Sequence, residues 1–126
     1  MLHRRDPGEA YRRVDFDARV TGATSSQLVD LCLEQVAGSL GRAIYADAHD
    51  DNSAKSAALT RAVAALTALQ LGVDQNHPTG KALNQLYQSA RVAALDSVLL
   101  FDADKLGTIR QDFIDIRAAM LGGVPA

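Results

Sequence analysis

Residues 20–44 read VTGATSSQLVDLCLEQVAGSLGRAI, and this stretch decides the fold. After a turn-like beginning, apolar residues recur at the spacing of an α-helix. They form one broad face and a second apolar line beside it. The face contains Leu28, Leu31, Cys32, Val36, Leu40, Ala43 and Ile44, and the second line contains Val29, Leu33 and Ala37. A helix with two apolar lines contacts more than one neighbour, so this helix is predicted to lie at the centre of the protein.

Four segments have the periodicity and the end signals of long helices. Thr24 and Gln27 fit a capping box at the start of the first, which is predicted to end near Asp47. The others are predicted over about residues 53–71, 78–100 and 103–120, with Asp51 or Asn52 as cap of the second and Asp102 as cap of the last. No segment alternates like a strand, and the breaks are short. The prediction is therefore an all-α fold, an antiparallel four-helix bundle.

The N-terminal residues 1–19 are predicted to be a partly flexible arm or a short extra helix. Pro7-Gly8 interrupts an early helix, residues 9–14 suffice for a turn or two, and the alternating DFDARV of residues 15–20 is expected to be extended. The helical domain is expected over residues 20–122, and residues 123–126 are expected to be a C-terminal tail.

Composition narrows the class of protein. A chain of 126 residues is expected to form one domain. Its net charge of −2 does not provide the excess of positive charge that is typical of nucleic-acid binding. No signal peptide and no apolar run of membrane-spanning length is visible, so stable membrane insertion is not expected. A single cysteine, Cys32, excludes an internal disulfide. The expectation is a soluble cytoplasmic protein.

Catalytic and metal-binding patterns are not found. A di-iron bundle needs glutamates from all four helices, whereas this chain has only Glu9 and Glu34. Asp74 and His77 have the i, i+3 spacing of metal ligands but lie in a Pro/Gly loop, which favours a capping role. Cys32 lies among leucines and is interpreted as a buried structural thiol. The prediction is a protein without cofactor or metal that is not an enzyme.

Four segments, in order, resemble the flagellar secretion chaperone FliS family. The first is similar to that family's V-x-T-A-S-P-x-x-L-V-x-M-L-Y-D-G-A-L pattern, and the second is Val73-Asp74, similar to a Leu-Asp after the family's second helix. The third, Leu83-x-x-Leu86-Tyr87, resembles L-x-x-L-Y-x-Y, and the fourth, residues 116–120, resembles L-R-x-A-W. The residues that fit the first pattern are Val20, Ala23, Gln27, Leu28, Val29 and Leu31.

The resemblance covers about residues 11–121, and Tyr11 is similar to a tyrosine of the family's N-terminal arm. The sequence departs from the family patterns at several positions, and these leave room for a changed specificity. They are Gly22 for Thr, Ser25 for Pro, Leu33-Glu34-Gln35 for Tyr-Asp-Gly, Ser89 for the second Tyr, and Met120 for Trp.

The resemblance implies a cytoplasmic export chaperone without cofactor or ATP. Such a protein binds the disordered C-terminal segment of flagellin, prevents premature polymerisation and delivers flagellin to the export gate of the flagellar type III secretion apparatus. The client would bind in an apolar groove of the bundle, with Tyr87 at its rim and Tyr11 covering it when no client is bound. The predicted partner-binding residues are Tyr11, Val20, Leu28, Val29, Leu31, Leu33, Leu83, Tyr87 and Leu95.

Other classes remain open from the sequence. A helical adaptor or scaffold, dimeric or acting as chaperone for another secreted substrate, fits the same helical pattern. A homodimer in the absence of client is also open, because an uncovered groove could pair two chains. A small enzyme would need a polar pocket, and a nucleic-acid binder conflicts with the acidic balance of the chain.

Overall fold

The computed structural model describes residues 7–22 and 24–122. Within these ranges the chain forms five helices and no strand, which confirms the all-α prediction. The helices are α1 (Pro7–Thr21), α2 (Ser25–Ala48), α3 (Asn52–Leu71), α4 (Pro78–Leu99) and α5 (Ala103–Leu121). The predicted tail at 123–126 and the motif residue Ala23 lie outside the described residues.

Side chains at the predicted positions cap the bundle helices. Thr24 Oγ1 accepts a hydrogen bond from the Gln27 amide at 3.3 Å, and the Thr24 amide donates to Gln27 Oε1 at 2.9 Å, which completes the capping box. Asp51 caps α3 and Asp102 caps α5 through a bond of 3.0 Å in each case. Because the caps satisfy amides that the helix itself leaves open, the predicted helix starts are correct to within one residue.

α2 is the central helix of the bundle, as its two apolar lines predict. It packs along α3 and α5, while α3 also packs along α4, and α4 and α5 contact each other much less. The connections are short, at residues 49–51, 72–77 and 100–102, so each of these four helices runs antiparallel to the one before it.

The core combines a few large side chains with many alanines. Tyr87 and Phe113 are its largest members, and the alanines of α2, α3 and α4 let the helices approach closely. Each fully buried leucine contributes about 2 kcal/mol to the free energy of unfolding. The fully or almost fully buried residues of this core include Leu33, Val36, Leu40, Ala43, Leu59, Ala62, Leu66, Ala94 and Leu106.

The N-terminal segment departs from part of the prediction. It is an extra helix of 15 residues rather than an arm, so the extended conformation expected for residues 15–20 is wrong, and the boundary drawn at residue 20 falls inside α1. Pro7 is the first helical residue, where a missing amide hydrogen costs nothing. Phe16 and Val20, four residues apart, lie on one side of α1 and line the same cavity. Asp15 and Asp17 made this short stretch look like an alternating strand.

An ion-pair network joins α5, α2 and α1. Arg117 donates to Asp30 from Nε at 2.6 Å and to Glu34 from Nη2 at 3.0 Å, and Arg19 donates to the other oxygen of Glu34 at 3.1 Å. The hydrogen bond to Asp30 raises the pKa of Arg117, and that to Glu34 raises the pKa of Arg19. These groups are partly exposed, so the network contributes little energy per pair but fixes how the three helices face each other.

The loop before α4 is closed by a glycine contact. Gly80 is buried, and a Cβ atom at this position would overlap the carbonyl oxygen of Asp74 and lie 2.9 Å from its carbon. A Cβ atom at Gly107 in α5 would meet nothing within 4 Å. Substitution by alanine is therefore expected to change the free energy of unfolding in opposite directions at the two glycines.

We expect Gly80→Ala to lower the free energy of unfolding by about 2 kcal/mol, because the methyl group would push against backbone that cannot move aside. Gly107→Ala should raise the free energy of unfolding by about 0.5–1 kcal/mol, because alanine favours a helix interior. Urea denaturation of the two variants beside the parent measures both. Equal stability of the Gly80→Ala variant and the parent would contradict the close contact with Asp74.

Candidate client-binding cavity

A cavity of about 790 Å³ lies between α1, α2, α3 and the beginning of α4, and Met120 near the end of α5 also lines it. Its walls are mostly apolar, and residues 72–74 of the loop before α4 close one end. Arg13, Asp17, Arg61 and Asp74 supply the charged groups at its border. The apolar lining consists of Phe16, Val20, Leu28, Val29, Cys32, Ala64, Ala65, Ala68, Leu69, Val73, Leu83, Tyr87 and Met120.

Five of the nine predicted partner-binding residues meet at this cavity. Val20 comes from α1, Leu28 and Val29 from the first two turns of α2, and Leu83 and Tyr87 from α4. Val20, Leu28, Val29 and Leu83 are half-buried, so each still presents apolar surface. The fold thus brings together segments that are more than 50 residues apart along the chain.

The other four predicted residues lie elsewhere. Leu33 has no exposed surface and belongs to the core, so it presents no side-chain surface to a partner in this structure. Leu31 is also buried and does not line the cavity. Tyr11 on α1 and Leu95 on α4 are exposed, to 75% and 46%, but neither lines the cavity. The second apolar line of α2 therefore serves two environments, since Val29 lines the cavity and Leu33 lies in the core.

Tyr87 lies at the floor of the cavity rather than at its rim. Its side chain is 2% exposed, and its ring centroid is 6.0 Å from that of Phe113 in the core. Burial is the main reason why the pKa of Tyr87 is raised. Cys32 shares this floor, and burial raises the pKa of its thiol as well. A raised pKa disfavours the reactive thiolate, which agrees with a structural thiol.

A buried ion pair holds α1 against the bundle beside the cavity. Arg61 of α3 and Glu9 of α1 approach to 3.0 Å, and each side chain is only 9% exposed. Arg61 also donates to the backbone carbonyl of Arg12 at 3.4 Å, and its guanidinium lies 5.9 Å from the ring centroid of Phe16. The Gln35 side chain faces the same guanidinium and, with its oxygen turned inward, accepts from Nη2 and Nε at 2.6 Å. Arg61 thus links α1, α2 and α3 at one point.

Several cavity residues were not predicted from the sequence. α3 supplies Ala64, Ala65 and Ala68, whose side chains are too short to stand out as a binding surface. Phe16 was hidden in the stretch expected to be extended. The one usable signal was the i, i+4 spacing of Phe16 and Val20, which marks an apolar side of a helix.

The polar residues near the cavity have structural partners. Asp74 Oδ1 accepts from the Asn76 amide at 2.9 Å, and His77 Nδ1 accepts from the Thr79 amide at 3.1 Å, so both shape the loop and the start of α4. Residues 7–22 and 24–122 contain no group of three or more His, Cys, Asp or Glu placed to hold a metal ion. Over the same ranges, no helix combines the length and the apolar character needed to cross a lipid bilayer.

The sequence matches the family model described as flagellar protein FliS over residues 7–119. The chain belongs to the FliS family. The match begins with the first residue of α1 and ends two residues before the end of α5, so the family pattern includes α1 as well as the four-helix bundle. No curated protein sequence matches the chain. Membership supports a role as a flagellar chaperone.

We predict that the Glu9–Arg61 ion pair keeps α1 packed against the bundle. Glu9→Gln should lower the free energy of unfolding by roughly 1–3 kcal/mol, because it leaves a buried guanidinium without its carboxylate. Hydrogen exchange should then become faster in α1 than in the parent, whereas α3 should change less. Arg19→Gln is the control, because its pair with Glu34 is exposed and should cost less than about 1 kcal/mol. Parent-like protection of α1 in Glu9→Gln would contradict this role.

The buried thiol and phenol predict a decline of stability at alkaline pH. Because burial raises the pKa of Cys32 and of Tyr87, the folded protein keeps both protons at pH values where the unfolded chain releases them. Their contribution is complete below the unfolded-state pKa values and is lost as the pH rises from about 8.5 through 10 and beyond. Urea denaturation across this range should show a shallower decline in Cys32→Ala/Tyr87→Phe. An unchanged slope would contradict the assignment.

Proposed function

We propose that this protein is a cytoplasmic export chaperone that binds the disordered C-terminal segment of flagellin. Binding prevents premature polymerisation, and the chaperone delivers flagellin to the flagellar type III export gate. The client's apolar side chains enter the cavity between α1, α2, α3 and α4. No cofactor takes part, because the task is to cover apolar surface and release it later.

One observation carries this proposal. The segments with family resemblance are scattered over the chain, yet each of the four contributes residues to this cavity. Val20, Leu28 and Val29 come from the first, Val73 and Asp74 from the second, Leu83 and Tyr87 from the third, and Met120 from the fourth. Other residues of these segments, such as Leu31 and Leu86, are buried or pack against the core. The residues that line the cavity favour a shared ligand there.

The physical properties of the cavity suit an apolar peptide. A volume of about 790 Å³ takes several side chains, and alanines and leucines form much of its wall, with the charged groups at its border. A client that is disordered when free loses conformational entropy on binding, which offsets part of the hydrophobic gain. The complex is therefore tight enough to protect the client and weak enough to release it.

Calorimetric titration with the C-terminal segment of flagellin from the same organism tests the proposal. We expect saturable one-to-one binding with a dissociation constant near or below about 1 µM and a negative heat-capacity change. Leu28→Asp and Leu83→Asp should each weaken binding by at least about tenfold, because a carboxylate would replace apolar contact surface and lose hydration when the client binds.

Leu100→Asp is the matched control, because Leu100 is exposed at the opposite end of α4 and lines no part of the cavity. Leu95→Asp tests whether the client also covers the outer surface of α4. Loss of binding in Leu95→Asp would extend the site to that surface, whereas parent-like binding would confine it to the cavity. No heat with the parent protein would refute flagellin as client and favour a helical adaptor or a chaperone for another secreted substrate.

Exposed leucines at the end of α4 favour a second candidate, a homodimer in the absence of client. Leu95, Val98, Leu99 and Leu100 all present apolar surface there, and Leu99 is 93% exposed. Sedimentation of the free protein and of its complex would distinguish the two states. A mass of one chain at every concentration would refute the dimer.

A further inference from the structure

A second cavity, of about 650 Å³, also borders α1 and differs from the first in its charged lining. It is bordered by the first half of α1, the second half of α2 and the first halves of α3 and α5. None of its lining residues also lines the client-binding cavity. The second cavity is therefore a separate potential binding site, independent of the client proposed above.

Arginine side chains dominate the charge of this second cavity. Arg12 enters from α1, Arg42 from α2 and Arg110 from α5. Its two carboxylates are already engaged, since Glu9 pairs with Arg61 at 3.0 Å and with Arg12 at 3.4 Å, and Asp51 caps α3 through the Ala54 amide. Among the described residues, neither Arg42 nor Arg110 has a carboxylate within 4.0 Å. The cavity therefore carries an excess of positive charge.

The two arginines are held in place by helical glycines. A Cβ atom at Gly41 would lie 2.8 Å from Arg110 Nε, and one at Gly38 would lie 3.3 Å from Arg42 Nη1, so both guanidiniums rest close to the backbone of α2. Arg42 also donates to Ser39 Oγ at 3.2 Å. The missing Cβ atoms leave room for both guanidiniums against α2, and the bond to Ser39 gives Arg42 one fixed point.

Buried donors in this cavity have no acceptor. The Nε–H groups of Arg42 and Arg110 are both buried, and neither finds a hydrogen-bond partner among the described residues. Desolvation is the main reason why the pKa of Arg42 is lowered, and the neighbouring Arg12 and Arg61 lower it further. A buried cationic donor without an acceptor is costly, and an anionic ligand would remove that cost.

The rest of the wall distinguishes between kinds of anion. Ile44, Ala54 and Ala58 give the cavity an apolar wall, and the stacked rings of Tyr45 and His49, 4.0 Å apart, stand beside it. A small, fully hydrated anion would leave most of the volume and this wall unused. A peptide with acidic side chains would place its methylene groups and main chain on the wall and its carboxylates on the guanidiniums.

We propose that this cavity binds an acidic segment of a protein partner, with its carboxylates on Arg42 and Arg110 and its chain against Ile44, Ala54 and Ala58. The site uses charge and bidentate geometry, whereas the client-binding cavity uses apolar contact. One chain can therefore hold an apolar client and an acidic partner at the same time.

A hexaglutamate peptide is the probe, titrated into the isotope-labelled full chain at low salt. The amide signals of Gly38, Gly41 and Gly107, which line the cavity, should shift and saturate. In Arg42→Gln/Arg110→Gln the dissociation constant should rise at least about tenfold, because two charge-assisted contacts are lost. Each single substitution is measured as well, so the comparison holds if the double variant loses its helical circular dichroism.

Lys81→Gln/Lys105→Gln is the matched control, because it removes the same charge from two exposed residues outside both cavities. It should change the dissociation constant by less than about twofold. If peptide binding is weakened equally in the two double variants, the effect is one of net charge and the proposal is overturned. The absence of saturable shifts at the glycine amides would also overturn it. Inorganic phosphate is titrated at matched ionic strength as a competitor. If it shifts the same amide signals and displaces the peptide, the site binds small anions and the proposal is overturned.

Discussion

The structure depends on α2 burying apolar side chains on more than one side. Leu33, Val36 and Leu40 have almost no exposed surface, and they belong to one core cluster with residues of α3, α4 and α5. A helix buried in this way must be surrounded, and short loops leave only an antiparallel arrangement for the helices that follow. Alanines on α3 and α4 then let those helices approach closely enough to exclude water. The bundle is a consequence of how one helix distributes its apolar residues.

α1 is attached by a different kind of interaction. Besides the half-buried Phe16, which packs against the core, the buried Glu9–Arg61 pair and the exposed pair of Arg19 and Glu34 join it to the bundle. Ion pairs of this kind depend on geometry, because the cost of removing the charges from water nearly cancels their attraction. α1 is therefore held at defined points while the space beside it stays open. Two cavities, the second of them lined by three arginines, border α1 as a result.

The residues that depart from the family patterns occupy different parts of the structure. Ser25 and Met120, which stand where the family has Pro and Trp, both line the client-binding cavity, whereas Gly22 and Ser89 are exposed away from it. Leu33, in place of the family's Tyr, fills the core. Substitutions at a cavity wall alter its shape without altering the fold. Under the proposed function, differences in client preference between this chain and other members are expected at Ser25 and Met120 first.

The sequence by itself determined the four bundle helices, three of their caps and the central position of α2, because helical periodicity and capping are local properties of the chain. It also identified five residues of the cavity, through segments that resemble a family. Only the tertiary structure decided that Val29 faces the cavity while Leu33, one turn later on the same apolar line, is buried in the core. It also decided that Glu9 and Arg42, which look like ordinary surface charges in the sequence, take part in buried contacts beside α1. Burial and pairing depend on which helix lies opposite, and periodicity along one helix carries no information about its neighbours.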